Sequence, residues 1–275
     1  VAARPWRDLR LRAISAAVLG PLCLLCIWLG ELPWMLLIAI GVGGLAIEWV
    51  HLCGGAVARL PGLLVPVAIT LGCAVALAGD DAAGLGLLLL GAVLCWRAAL
   101  RTPWPRALGL GVLYVGLMGI ALIRLRGDLA AGRANVLFVV LVVWASDIGA
   151  YLVGRLFGGP RLAPAISPGK TWSGAAGGLL AALGVGILAA SRFDSGVGGP
   201  PDLEMAAVVA VVLGLAAQAG DLAESFIKRR FGVKDSGRLI PGHGGLLDRL
   251  DGLLAAAPVA ALLSLILGQG AYLWR

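Results

Sequence analysis

The stretch VLFVVLVVWASDIGAYLVG, residues 136–154, carries one charged side chain, Asp147, in 19 positions. A run of that length and apolarity matches the roughly 30 Å hydrocarbon core that a helix of about 20 residues crosses. The same pattern recurs outward in both directions, at 12–30, 34–50, 60–79, 82–96, 107–124, 172–190, 205–224 and 252–273. Hydrophobic residues make up 60% of the 275 and charged residues 13%, with a mean hydropathy of +0.96, which excludes an ordinary soluble domain. The expected fold is therefore all-α, a polytopic membrane protein of about nine transmembrane helices. It divides into an N-terminal set of spans, 1–135, and a C-terminal set, 136–275, that carries the polar motifs. The third and fourth spans, separated only by Gly79, Asp80 and Asp81, are the least secure pair.

Basic residues set the expected orientation, because short loops rich in Arg and Lys stay in the cytoplasm. With the N-terminus inside, one set of loops holds 17 of them and the opposite set 5. The net charge of +7 then reports topology and anionic lipid, not nucleic acid, since no separate basic domain exists to hold a duplex. The first span has a basic start and an apolar centre but no convincing cleavage site, so it reads as a retained helix. Cys23 and Cys26 form a CxxC inside that span. With no second ligand pair nearby, they read as small packing residues.

Polar residues gather in two islands, 144–174 and 220–252, and all three lysines, Lys170, Lys228 and Lys234, fall inside them. A compact, flexible ammonium is a common phosphate partner. Asp147, Asp221, Asp248 and Asp251 interrupt or border apolar runs, where each costs about 2.5–3.5 kcal/mol at a helix centre. Such a cost implies partners. In a helix, Asp248 and Asp251 share a face at i, i+3, and with Asp221 they offer the hard oxygen donors that suit Mg²⁺. The competing reading makes Asp248 and Asp251 helix-capping acids. Gly242, Gly244 and Gly245 surround His243 in a PGHGG turn, either a nest for phosphate or a tight turn without chemistry. SPGKT, 167–171, lacks the spacing of a phosphate-binding GxxxxGKT loop, and no strand is expected before it. It leaves Lys170 and a helix-starting Thr171 as candidate anion binders. Glu48, near His51, is expected to pair with Arg59 or to reach the interface, with no catalytic role.

The run SFIKRRFGVKDSGRLIPGHGGLLDRLD, 225–251, resembles the signature of the phosphatidate cytidylyltransferases, the CDP-diacylglycerol synthases. Asp147, Tyr151, Gly154, Phe157 and Gly158, followed by Ser167-Pro168 and Lys170-Thr171-Trp172, are similar to that family's other motif region. Where the family commonly has Glu after Thr-Trp, this chain has Ser173. The resemblance implies transfer of a cytidylyl group from CTP to phosphatidic acid, giving CDP-diacylglycerol and pyrophosphate, in a bacterial inner membrane with the polar site on the cytoplasmic side. It implies Asp221, Asp248 and Asp251 as ligands of Mg²⁺, with a second cation such as K⁺ as an open alternative. Lys228, Arg229, Lys234 and Arg249 would neutralise phosphates, Ser225, Gly242, Gly244 and Gly245 would orient them, and Asp235 belongs to the same motif. His243 would donate a hydrogen bond, Lys170 and Thr171 would close the pocket, and Asp147 would support it from behind. The partners expected are CTP, phosphatidic acid and membrane lipids, without nucleic acid. Small-residue spacings such as Gly174–Gly178 allow close helix approach, a homodimer among the arrangements they permit.

Two rivals remain. A transporter predicts polar residues along a route through the membrane and an inverted repeat, and 1–135 shows no repeat of the 144–252 pattern. A CTP-dependent lipid kinase would use the same nucleotide but leave its cytidine in soluble CDP.

Overall fold

The computed structural model describes residues 5–193, 200–237, 244–268 and 270–275, with side chains described from residue 17 onward. Among them run nine helices: α1 (Pro5–Leu29), α2 (Glu31–Leu52), α3 (Leu64–Leu77), α4 (Asp81–Ala98), α5 (Pro105–Gly127), α6 (Gly132–Phe157), α7 (Trp172–Phe193), α8 (Leu203–Arg230) and α9 (Leu247–Leu267). Among the described residues seven helices, α2 and α4 to α9, are long and apolar enough to cross a membrane. At 14 residues, α3 spans only about 21 Å at 1.5 Å per residue. Outward-facing Ile40, Leu89 and Ile266 are exposed, as suits contact with lipid rather than water.

One expectation needs correction. The chain is not purely helical, because Arg161–Ala163 (β1) and Ser167–Thr171 (β2) pair as an antiparallel hairpin, with Arg161 opposite Thr171 and Ala163 opposite Ser167. SPGKT is itself a strand. The cause is local: Gly158 and Gly159 have positive φ, and Pro160, Pro164 and Pro168 disfavour a continuous helix. The backbone left between α6 and α7 satisfies its polar groups by pairing with itself.

Contacts divide the chain into two compact units, Val1–Ile123 with Phe231–Leu250, and Arg124–Arg230 with Asp251–Arg275.

In the first unit α3 and α4 pack closely, because glycine lets their backbones approach. A Cβ at Gly84 would lie 2.7 Å from the Gly72 carbonyl oxygen. Trp49 on α2 donates its indole N–H to the Ala107 carbonyl at 2.9 Å, and Tyr114 packs on its ring.

In the second unit α6, α7 and α8 form the main packing group. A Cβ at Gly174 would come within 2.8 Å of the Ala150 carbonyl, and one at Gly178 within 2.7 Å of the Ser146 carbonyl. The close helix packing expected from this small-residue spacing occurs within the unit, against α6. Gln218 on α8 donates to the Ala175 carbonyl at 3.0 Å and to Ser146 Oγ at 3.4 Å, tying the three helices by polar contacts as well.

The last helix starts at Leu247 and ends at Leu267, earlier at both ends than the expected 252–273 span. Gly268 and Gly270, both at positive φ, end it. Buried Asn135 then donates to the Ala271 carbonyl at 3.0 Å and accepts from Leu273 N–H at 2.9 Å, and Trp274 packs on Phe138.

Asp128 secures the same end. Its carboxylate accepts from the N–H groups of Ala130 and Ala131, both at 2.9 Å, and of Gly270 at 2.6 Å. Burial pushes its pKa up, but those three donors outweigh it and hold the group below the usual carboxylate range. A depressed folded pKa means stabilisation that is present above the ordinary value near 3.9 and is lost as pH falls through the lower folded value. Asp128→Ala is expected to cost about 1 kcal/mol, the usual worth of a capping side chain. It should lower the melting temperature in detergent at pH 7, with the gap to wild type closing toward pH 3.

Candidate functional site

In the second unit, α6, α8 and α9 from Asp251 onward bring acidic side chains together. Asp251 lies within electrostatic range of Asp221, Asp147 and Glu224. Asp221 and Glu224 occupy the C-terminal part of α8, Asp147 is exposed on α6, and Asp251 is half-buried. Close approach of α8 and α9 makes this possible: at Gly220 a Cβ would sit 2.5 Å from the Asp251 carbonyl and 2.8 Å from Ala255 Cβ.

Two lysines enter the same group. Lys170 Nζ lies 2.7 Å from Asp221 Oδ2, and Lys228 Nζ lies 2.6 Å from Glu224 Oε2 one turn along α8. Basic Lys228, Arg229 and Arg230 fill the last turn of α8, where the helix dipole favours positive charge. Arg229 donates through Nε to the Ile166 carbonyl in the hairpin turn at 3.3 Å. With the Lys170–Asp221 pair, it fastens β1–β2 to the end of α8.

Ser225 is half-buried one turn beyond Asp221. Thr171 is buried and caps α7, its Oγ1 accepting from Gly174 N–H at 3.1 Å and lying 3.0 Å from Ser173 Oγ. Ser173 in turn donates to the Gly158 carbonyl at the end of α6. The hydroxyl at the position of the family's usual Glu therefore closes the junction between α6, the hairpin and α7.

The first unit holds residues 231–250 of the second polar island. Lys234 and Asp235 are exposed in the turn after α8, and Arg249 is exposed on α9. Gly242 and His243 lie outside the described residues. Asp248 accepts from Ser236 N–H and Oγ, both 3.1 Å from Oδ2, and from Gly245 N–H at 3.0 Å. The Gly245 N–H, expected to face phosphate, donates here to this carboxylate, which closes the first turn of α9.

Glu48 corrects a further expectation. It does not reach for Arg59 or the interface. It is 2% exposed and accepts from Leu246 and Leu247 N–H, each at 2.8 Å. Nothing in the sequence around Glu48 names partners 198 and 199 residues away. The Glu224–Lys228 pair does have a local signal, the i, i+4 spacing of opposite charges on one helix.

The donor set fits a hard divalent cation. Asp221, Asp147 and Glu224 each sit within electrostatic range of Asp251, all oxygen donors, and the hairpin brings in a lysine at Asp221. Among the described residues no three acidic, His or Cys side chains are already gathered as ligands. Mg²⁺ does not demand that, since it keeps several waters and is commonly held by one or two carboxylates with substrate phosphates.

Comparison with known proteins gives a consistent result. Residues 10–267 match the sequence profile described as the Cytidylyltransferase family. A protein of Brucella suis biovar 1 named phosphatidate cytidylyltransferase is 42% identical over 272 residues, 95% of each chain. Proteins of the same name from Staphylococcus saprophyticus and Haemophilus influenzae are 41% and 42% identical over 154 and 143 residues, about half of each chain.

Proposed function

The chain belongs to the cytidylyltransferase family, and on that premise we propose that it is an integral-membrane phosphatidate cytidylyltransferase, converting CTP and phosphatidic acid to CDP-diacylglycerol and pyrophosphate. A phosphate oxygen of phosphatidic acid attacks the α-phosphorus of CTP. One P–O bond forms, the bond to the β-phosphate bridge breaks, and pyrophosphate leaves. The attacking oxygen is anionic at neutral pH, so no strong general base is needed, and His243 is assigned the role of a hydrogen-bond donor. The task of the protein is to hold two polyanions in line and screen their charge.

Asp221 and Asp251 are assigned as the holders of Mg²⁺. When bound, the ion neutralises phosphate oxygens and the charge that develops on the leaving group. Lys170 and Lys228, each now paired with a carboxylate, are ammonium groups that exchange those partners for phosphate oxygens. Arg229, Lys234 and Arg249 add positive charge, and Ser225 orients a phosphate by hydrogen bonding. Asp147 acts on Asp251 through its field, and Asp248 by fixing the start of α9. A second cation such as K⁺, all nine helices spanning, a homodimer and a cytoplasmic-facing site in the bacterial inner membrane complete the reading. The 17-to-5 distribution of basic residues supports that orientation.

The observation that carries this reading is the clustering of Asp147, Asp221, Glu224 and Asp251 with Lys170 and Lys228. The test supplies α-labelled CTP, Mg²⁺ and phosphatidic acid to the purified protein in detergent. Label should enter lipid, chelation should stop it, and added Mg²⁺ should restore it. Label found only in soluble CDP would make the protein a kinase, and no product from folded protein would favour transport.

A further inference from the structure

The start of α9 is an N-terminus whose free N–H groups would ordinarily draw an anion from solution. Here an internal anion fills it. Glu48, brought in by α2, accepts from Leu246 N–H through Oε1 and from Leu247 N–H through Oε2. Ser236 Oγ stands between two carboxylates, 3.4 Å from Glu48 Oε2 and 3.1 Å from Asp248 Oδ2. The neighbours are built to let Glu48 in: a Cβ at Gly237 would meet Glu48 Oε1 at 2.6 Å, and one at Gly245 would meet Oε2 at 2.9 Å. A carboxylate this deeply buried persists only with such donors around it.

We infer that Glu48 is a positioning residue for the cytidylyl transfer: by holding the Leu246 and Leu247 N–H groups and bracing Ser236, it fixes the first turn of α9 and so the direction of Asp248. Asp251 follows three residues along the same helix. This rests on the proposed reaction, in which a misplacement of about 1 Å in a reacting group costs on the order of 10²-fold in rate. A cap that merely stabilised the helix would change folding without changing turnover by the folded enzyme.

The test compares full-length Glu48→Gln and Glu48→Asp with Asp128→Ala, a capping change in the other unit, all purified in detergent. Glu48→Gln keeps a similar shape but puts an amide donor where two N–H groups need acceptors. It should lower kcat on the order of 10²-fold with KM for CTP and phosphatidic acid within about threefold of wild type. Glu48→Asp should fall between the two. Asp128→Ala should lose melting temperature while holding kcat within about twofold of wild type. Amide exchange at Leu246 and Leu247 should accelerate in both Glu48 variants and not in Asp128→Ala. Wild-type kcat in Glu48→Gln, or a kcat loss that Asp128→Ala reproduces at equal melting temperature, would overturn the inference. Should Glu48→Gln fail to fold, Glu48→Asp decides by the same comparison. A wild-type protein that makes no labelled lipid would instead defeat the activity reading, while unchanged exchange in the Glu48 variants would defeat the proposed brace by itself.

Discussion

Asp251→Asn should reduce turnover by about 10²–10³-fold, the size of loss that follows removal of one preorganised electrostatic group, and should leave the fold intact. The fold survives because the hydrogen bond that Asp251 makes is one an amide can keep: Oδ1 accepts from Gly252 N–H at 2.8 Å, and asparagine retains that oxygen. What disappears is a negative charge set near Asp221, Asp147 and Glu224. Like charges in that group repel, so the melting temperature should stay level or rise. A loss of activity without a loss of stability separates a ligand from a structural acid. The half-saturating Mg²⁺ concentration should rise steeply in the same variant, and a wild-type Mg²⁺ dependence would refute the assignment. Asp147→Asn should be milder, since that side chain is exposed on α6.

Lys228→Met should damage stability and activity together, and a second substitution should pull the two apart. Lys228 and Glu224 are 2.6 Å apart with side-chain exposures of 13% and 3%, so this pair lies largely out of water. Removing one partner of a buried pair typically costs about 3–5 kcal/mol, because the other charge stays behind in a poor solvent. Glu224 also stands near the acidic Asp251, which deepens the penalty. Changing Glu224→Gln in the Lys228→Met background should recover most of the lost melting temperature. It should not recover transfer, because the ammonium assigned to the phosphates is still missing. Recovery of both would make Lys228 a structural residue alone.

Much of this architecture was legible because membrane helices report themselves through composition. The run 136–154 lies inside α6, and 172–190 and 205–224 lie inside α7 and α8, since an apolar window of that length has few other uses. The two polar islands were legible for the same reason, as charge stands out against apolar sequence. The exceptions have physical causes. Three prolines and the pair Gly158 and Gly159 mark 158–170 as a break between helices, but whether its backbone pairs with itself depends on the helices at either end. Asp248 and Asp251 mark the start of α9 in the sequence as candidate capping acids, but Glu48, which completes the cap from a distant helix, is not legible there, since no local pattern encodes it. The pairing of Lys170 with Asp221 is likewise non-local. Both residues were picked out singly, one for phosphate and one for metal, and only the folded chain puts 2.7 Å between them.

The central claim is that Asp221 and Asp251 hold a divalent cation, and binding of Mn²⁺, a paramagnetic substitute for Mg²⁺, tests it without relying on turnover. Electron paramagnetic resonance titration of the detergent-purified protein with Mn²⁺ should show a saturable site that Mg²⁺ displaces and that Asp221→Asn and Asp251→Asn each weaken by about tenfold or more, a difference of at least about 1.4 kcal/mol. Equal Mn²⁺ binding by wild type and both variants would contradict it.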